Sequence, residues 1–264
     1  MTVPKDLLRE YKGIGEWNIL HAYRGSIAHG MYVPNSDPLS FDDKDTIGIC
    51  VPTKDYFLGL KEFGSRGTQE IKRNEWDVVV YDAKKAISLL GQGNPNILSL
   101  LWTSPKHYIN MTEAGQMIID NKDIFVGKHV YKSFTGYAYS QLHKMESFVF
   151  EGYMGTKRKS LVEKFGYDTK NAAHLIRLLR MSIEFLTEGR LYVEREDASQ
   201  LLDIKRGKWE LGRVKEESKR LFALADEAYV KSPLPNYPDC DKIDQLAVAV
   251  IEKAWEERDD INNQ

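Results

Sequence analysis

Cysteine is scarce: Cys50 and Cys240 are the only two in 264 residues, and they lie far apart. That excludes a disulfide framework, and no paired cysteine spacing suggests a structural zinc site. The two read as buried thiols of a protein kept reduced. No apolar run approaches the roughly 20 residues that span a bilayer. Met1 to Asp6 carries no signal-peptide core, so a cytoplasmic protein without membrane contact is expected. No sign of charge dominates. Lys and Arg total 37, Asp and Glu 39, and the formal net charge is −2. A global basic field for nucleic acid is therefore not implied, although a local basic groove is allowed. Repeats and low-complexity tracts are lacking too. What is present is 42% hydrophobic residues, enough for one sizeable core or two modest ones.

The chain is organised around Arg24 to Pro52. Asn18 to Tyr23 reads as a short buried strand, and Gly25-Ser26 follows at once. A strand, a Gly-Ser turn and a helix start gather free backbone N–H groups at one point, which attracts phosphate. Gly25 removes the side chain that would block close approach, and Ser26 adds a hydroxyl. Asp43-Lys44-Asp45 then leads into a second strand, Thr46 to Val51. Alternation puts Asp43 and Asp45 on one face with Lys44 turned away. Two carboxylates projecting together repel unless a cation sits between them, and Mg²⁺ accepts one or two carboxylates with phosphate oxygens. A third acid comes from the strand-like Glu75 to Tyr81: Asp77 is nearer its middle, and Glu75 remains open. The residue-level reading is a magnesium–nucleotide triphosphate site.

Thr68 to Arg73 is expected as an edge strand on Glu75 to Tyr81, with Lys72 and Arg73 as solvated strand-end charges. Asp82 and Asn94 have the positions of helix N-caps. From about Ser104 the pattern is helical without strands. Lys128 to Phe150 reads as a long amphipathic helix whose stripe (Val130, Phe134, Tyr137, Ala138, Leu142, Met145) is core. Gly152 to Lys159 reads as an exposed basic link. Asp168 caps a helix ended by Gly189, and on it Lys170, His174 and Arg177 form one polar line. An anionic ligand or salt bridges to Glu163 and Glu184 explain that line equally well from the pattern alone. Further helices are expected over Ala198 to Ile204, Leu211 to Ala228 and Asp241 to Arg258.

These residues carry a resemblance. Arg24-Gly25-Ser26-Ile27-Ala28-His29-Gly30, Asp43 to Val51, Asp77 to Ile87, Asn94 to Trp102 and Asp168 to Arg180 together resemble the DNA polymerase β-type nucleotidyltransferase superfamily. The likeness is closest to a subfamily found beside RNA ligases. Ser36-Asp37 stands at the family's usual acidic spacing, but no second Asp follows in phase. The metal pair is therefore assigned to Asp43 and Asp45, with Asp37 to Asp42 as an insertion.

The resemblance implies an α+β fold: a small mixed sheet with flanking helices over residues 1–105, then a helical domain over 106–264 that completes a cleft. It implies transfer of an NMP from an NTP to a hydroxyl acceptor, an RNA end foremost. Two Mg²⁺ (or Mn²⁺) ions would be held by Asp43, Asp45 and Asp77. Gly25 and Ser26 would hold phosphates, and Lys170, His174, Arg177 and Arg24 would neutralise them. The alternatives are a catalytically silent nucleic-acid-binding or regulatory protein of the same fold, and a nucleotidylyltransferase acting on proteins or small molecules.

Overall fold

The computed structural model describes residues 3–34, 36–37, 40, 42–146 and 156–262. In chain order the elements are α1 (Lys5–Glu10), β1 (Asn18–Tyr23), α2 (Gly25–Ala28), β2 (Lys44–Cys50), α3 (Lys54–Phe57), β3 (Thr68–Arg73) and β4 (Trp76–Asp82). Then follow α4 (Ala83–Gly91), α5 (Pro95–Leu98), β5 (Tyr108–Met111), α6 (Glu113–Asp120), α7 (Val130–Glu146) and α8 (Thr156–Phe165). Last come α9 (Thr169–Glu188), α10 (Ala198–Lys205), α11 (Leu211–Lys231) and α12 (Cys240–Asn262). The fold is α+β, as the resemblance implied. No helix among the described residues is long and apolar enough to cross a membrane.

The chain divides into two compact units, and neither follows a single cut at residue 105. The first takes Met1–Ala28, Asp43–Val126 and Tyr237–Gln264; the second takes His29–Asp42 and Gly127–Asn236. So α12 belongs with the sheet, where it packs on α4 and α6. Its Trp255 indole donates to Pro52 O at 2.9 Å, and Glu257 accepts from Ala114 N at 2.8 Å. Proximity in sequence to the helical region is overridden by these contacts.

The first unit is built on a five-stranded mixed sheet, ordered β3-β4-β2-β1-β5. β2 and β4 run parallel, with Asp45 opposite Asp77 and Ile47 opposite Val79. The other pairs are antiparallel. The edge strand β3 lies where it was expected. β5 was not expected: its four residues show no clean alternation, and the pairing of Asn110 with His21 rather than local propensity makes them a strand. One face of the sheet belongs to a core of Leu7, Trp17, Tyr23, Cys50, Trp76, Val78 and Val80. The opposite face of the parallel pair carries Asp45, Ile47, Ile49, Asp77, Val79 and Tyr81, by alternation. Asp82 caps α4 through Lys85 N at 2.7 Å, and Asn94 caps α5 through Asn96 N at 3.0 Å. Cys50 is buried, but Cys240 is exposed at the start of α12, against the expectation of two buried thiols.

The second unit is organised around α9, on which α7, α8, α10 and α11 pack. Asp168 accepts from Lys170 N and Asn171 N, and Gly189 closes the helix at φ 71°. Val130, Phe134, Ala138 and Met145 of the α7 stripe are buried, while Tyr137 and Leu142 are half-buried. The expected extension of α7 to Phe150 lies outside the described residues. So does most of the expected basic link, but Thr156 to Lys159 are helical in α8 rather than loop. There Arg158 is ion-paired with Asp168 at 2.7 Å and bonded to Asn171 Oδ1 at 2.9 Å. Asp42, at the end of the segment read as an insertion, accepts from Val33 N at 2.9 Å and from Lys205 Nζ. Both charged residues are buried.

Two stability predictions follow from these cores. Lys205→Met should lower unfolding free energy by about 3–5 kcal/mol, because it strands the buried Asp42 carboxylate. The Asp42→Leu/Lys205→Met double variant should lose less, measured by urea unfolding. His21, 1% exposed, has neither ring nitrogen hydrogen-bonded among the described residues, and burial pushes its pKa from 6.5 down to about 4. Between those values the unfolded chain binds the proton and the folded chain does not. Stability therefore falls as pH drops from about 6.5 towards 4, by about 3 kcal/mol from this residue. His29 and His174, also lowered, act in the same direction. Urea midpoints at pH 7.5 and pH 5 should show the decline, and His21→Leu should make it shallower.

Candidate active site

In the first unit the turn after β1 and the start of β2 meet. Arg24 N donates to Asp45 O at 3.0 Å. Gly25 sits at φ +61°, and a β-carbon there would stand 2.5 Å from Asp45 Oδ2. Glycine is therefore required twice, for its backbone conformation and for the carboxylate packed against it. Ser26 Oγ is buried and has no hydrogen-bond partner among the described residues. A buried hydroxyl without a partner is costly, and it lies within the turn read as a phosphate cradle.

Asp45 and Asp77 are register partners on parallel strands, so their Cα atoms are separated by the inter-strand spacing of about 4.8 Å. Their side chains leave the same face. Arg24 Nη2 lies 3.5 Å and Lys72 Nζ 3.7 Å from the Asp77 carboxylate. The Lys72 ammonium is largely exposed and contributes little. Arg73, expected as a solvated strand-end charge, pairs instead with Glu10 at 2.8 Å and Asp6 at 3.3 Å. Glu75 pairs with Lys44 at 2.5 Å, and Lys44 lies over the Trp76 ring. Glu75 is thereby committed to Lys44, while Asp77 stands beside Asp45. Asp43 precedes β2 and is exposed. Among the described residues no three His, Cys, Asp or Glu side chains form one metal-holding group. The assembled unit is the Asp45–Asp77 pair. A pair suits Mg²⁺, which takes one or two protein carboxylates and completes its octahedron with water and phosphate oxygens.

In the second unit α9 presents Lys170, His174 and Arg177. Glu184, weighed as a salt-bridge partner for that line, instead grips Arg195 with both oxygens at 2.6 and 2.7 Å. Arg177 has no carboxylate within ion-pair distance among the described residues. Its bonds are from Nη1 to His29 Nε2 at 2.5 Å and to Met181 Sδ at 3.3 Å. Burial, more than any neighbouring charge, lowers its pKa to about 10. His174 lies edge-on to Tyr137, ring centres 4.9 Å apart, with Nε2 buried and unbonded. Burial first, then the Arg177 charge, holds its imidazole well below the usual range. His29 was missed from the sequence. Its partner lies 148 residues away, and no local spacing signals that pair.

A mixed sheet that seats a glycine–serine turn against paired strand carboxylates defines the polymerase β class of nucleotidyltransferase fold. A family model described as "RNA repair pathway DNA polymerase beta family" matches residues 5–249, and the chain belongs to that family. Membership supports a nucleotidyltransferase-type function in RNA repair. No curated protein matches the chain.

Gly25→Ala should disturb this site directly. The added methyl meets Asp45 Oδ2 and a strained φ, so nucleotide binding should fall at least tenfold. Thermal unfolding should shift by only a few degrees. Undiminished binding by calorimetry would show that the turn makes no contact with nucleotide.

Proposed function

We propose that the protein transfers an NMP from an NTP to a hydroxyl acceptor at an RNA end, and that this transfer depends on Mg²⁺ or Mn²⁺. The observation that carries the reading is the Asp45–Asp77 pair in parallel register, packed against Gly25. Asp45 and Asp77 would hold the cation, with Asp43 as a further ligand. When bound, the cation would lower the pKa of the acceptor hydroxyl and steady the pyrophosphate leaving group. Gly25 leaves room for the phosphates, and Ser26 offers them its unpartnered hydroxyl. Arg24 is close enough to Asp77 to orient it and carries charge towards phosphate. Lys170, His174 and Arg177 would neutralise phosphoryl oxygens. In the reaction the acceptor hydroxyl gives its proton to water, its oxygen forms a bond to the α-phosphorus, and the α-phosphorus–oxygen bond to pyrophosphate breaks, so that pyrophosphate departs with that electron pair.

One observation favours a second reading. Arg24 already offsets part of the Asp77 charge, as suits a silent nucleic-acid-binding or regulatory protein. Incubation with each labelled NTP, Mg²⁺ and RNA, DNA or protein acceptors separates the two. Labelled RNA ends are expected. Salt-sensitive RNA binding with no label on any acceptor would establish the silent protein instead. Asp45→Asn with Asp77→Asn should abolish transfer, by more than about 10³-fold, while the circular dichroism spectrum is unchanged. Transfer at the wild-type rate by that double variant would reject the assignment.

A further inference from the structure

Arg177 is held in an unusual way for a half-buried arginine. Both of its protein bonds leave from Nη1, to the His29 ring and to the Met181 thioether. Nε and Nη2 have no protein partner among the described residues. Those two nitrogens form one side of the guanidinium fork, the geometry that grips two oxygens of a phosphoryl group.

The hydrogen bonding of His29 settles its form. Nδ1 lies 2.7 Å from Val193 O, which can only accept, so Nδ1 carries the proton. Nε2 is then left with a lone pair, and it accepts from Arg177. A protonated ring would lose that role and set two cations together. Burial, and then the Arg177 charge, keep the imidazole well below its usual pKa. The other charged or titratable groups acting on His29 and Arg177 are His174 from α9, Tyr137 from α7, and Arg195 and Asp197 from the segment before α10.

We propose that His29 is a positioning residue. As the neutral Nδ1–H tautomer it clamps Nη1 of Arg177 and leaves the Nε–Nη2 edge to grip a phosphoryl group. This rests on the reading of Arg177 as a phosphate-binding group and adds the residue that aims it. The clamp restricts an arginine that meets no carboxylate among the described residues, where a solvated side chain would sample many orientations. The phosphoryl group is that of a nucleotide triphosphate or of an RNA strand, and the two sources share this chemistry.

The test uses the full chain, with Arg177→Ala, His29→Leu and His29→Gln. Binding of each Mg-NTP is measured by calorimetry, and binding of a labelled 5′-phosphorylated oligoribonucleotide by anisotropy. Arg177→Ala should weaken one of the two about tenfold or more, and which one falls identifies the source of the phosphate. His29→Leu should weaken the same ligand to a similar degree and add little in the double variant. Transfer should fall along with affinity, chiefly through KM, and recover in His29→Gln. His29→Gln, whose Oε1 can accept where Nε2 did, should recover most of the affinity. If Arg177→Ala binds both ligands as wild type does, the phosphate reading of Arg177 falls. If Arg177→Ala is weak while His29→Leu binds normally, Arg177 stands and the positioning role is overturned. Should His29→Leu fail to fold, ¹⁵N spectra of the wild-type ring decide: an unprotonated Nε2 supports the clamp, and a protonated Nε2 overturns it.

Discussion

Two like charges placed side by side are the constraint on which the first unit turns. Parallel register sets Asp45 beside Asp77 at the end of a face that continues as Ile47, Ile49, Val79 and Tyr81. Hydrophobic packing holds the strands together and keeps the two residues side by side on one face. The sheet therefore fixes a negative locus that needs a countercharge. Arg24 supplies part of it, from the residue immediately before the turn that Gly25 makes possible. Gly25 in turn is pressed against Asp45 Oδ2. The turn and the acids thus depend on one another.

That dependence gives the surrounding elements their reason. β3 shields the outer edge of β4, and Asp82 at the far end of β4 passes the chain into α4 through a satisfied cap. α12 returns to cover α4 and α6, so the last helix supports the sheet that carries the acids. A short mixed sheet has little apolar area of its own, and this cover makes it a stable platform.

How much of this was legible depended on the range of the signal. Caps act over two or three residues, and Asp82, Asn94, Asp168 and Gly189 were readable because each satisfies backbone groups of its own helix. Alternation told which residues of β2 and β4 share a face. It did not tell that Asp45 and Asp77 lie in register, because strand pairing is fixed by contacts distant in sequence. β5 escaped for the same reason. Asp42 carried no local mark either. It sits in a stretch of acids that resembles a solvated loop, and only Lys205, 163 residues away, makes it a buried anchor. Glu75 and Asp77 differ by two residues and share a nominal face, yet the tight turn at Asn74 (φ 54°) sends Glu75 to Lys44.

In the second unit the treatment of charge separates structure from site. Arg158 is matched by Asp168, Arg195 by Glu184 and Asp197, Lys205 by Asp42, and Arg180 by Asp197 and Glu217. Each of these pairs offsets the cost of removing charge from water. Arg177, one turn from Arg180 on the same helix, has an imidazole and a thioether instead. A methionine or leucine there would fill the space without that cost, so packing gives no reason for the cation. Nor does solubility, since the head group is turned inward. Among the described residues no carboxylate meets it, and that is what supports the proposed phosphoryl partner. With a formal net charge of −2 the chain has no long-range field to attract an anion. An anion would then be recognised by single, well-aimed groups acting at hydrogen-bond distance, the role proposed for Arg177.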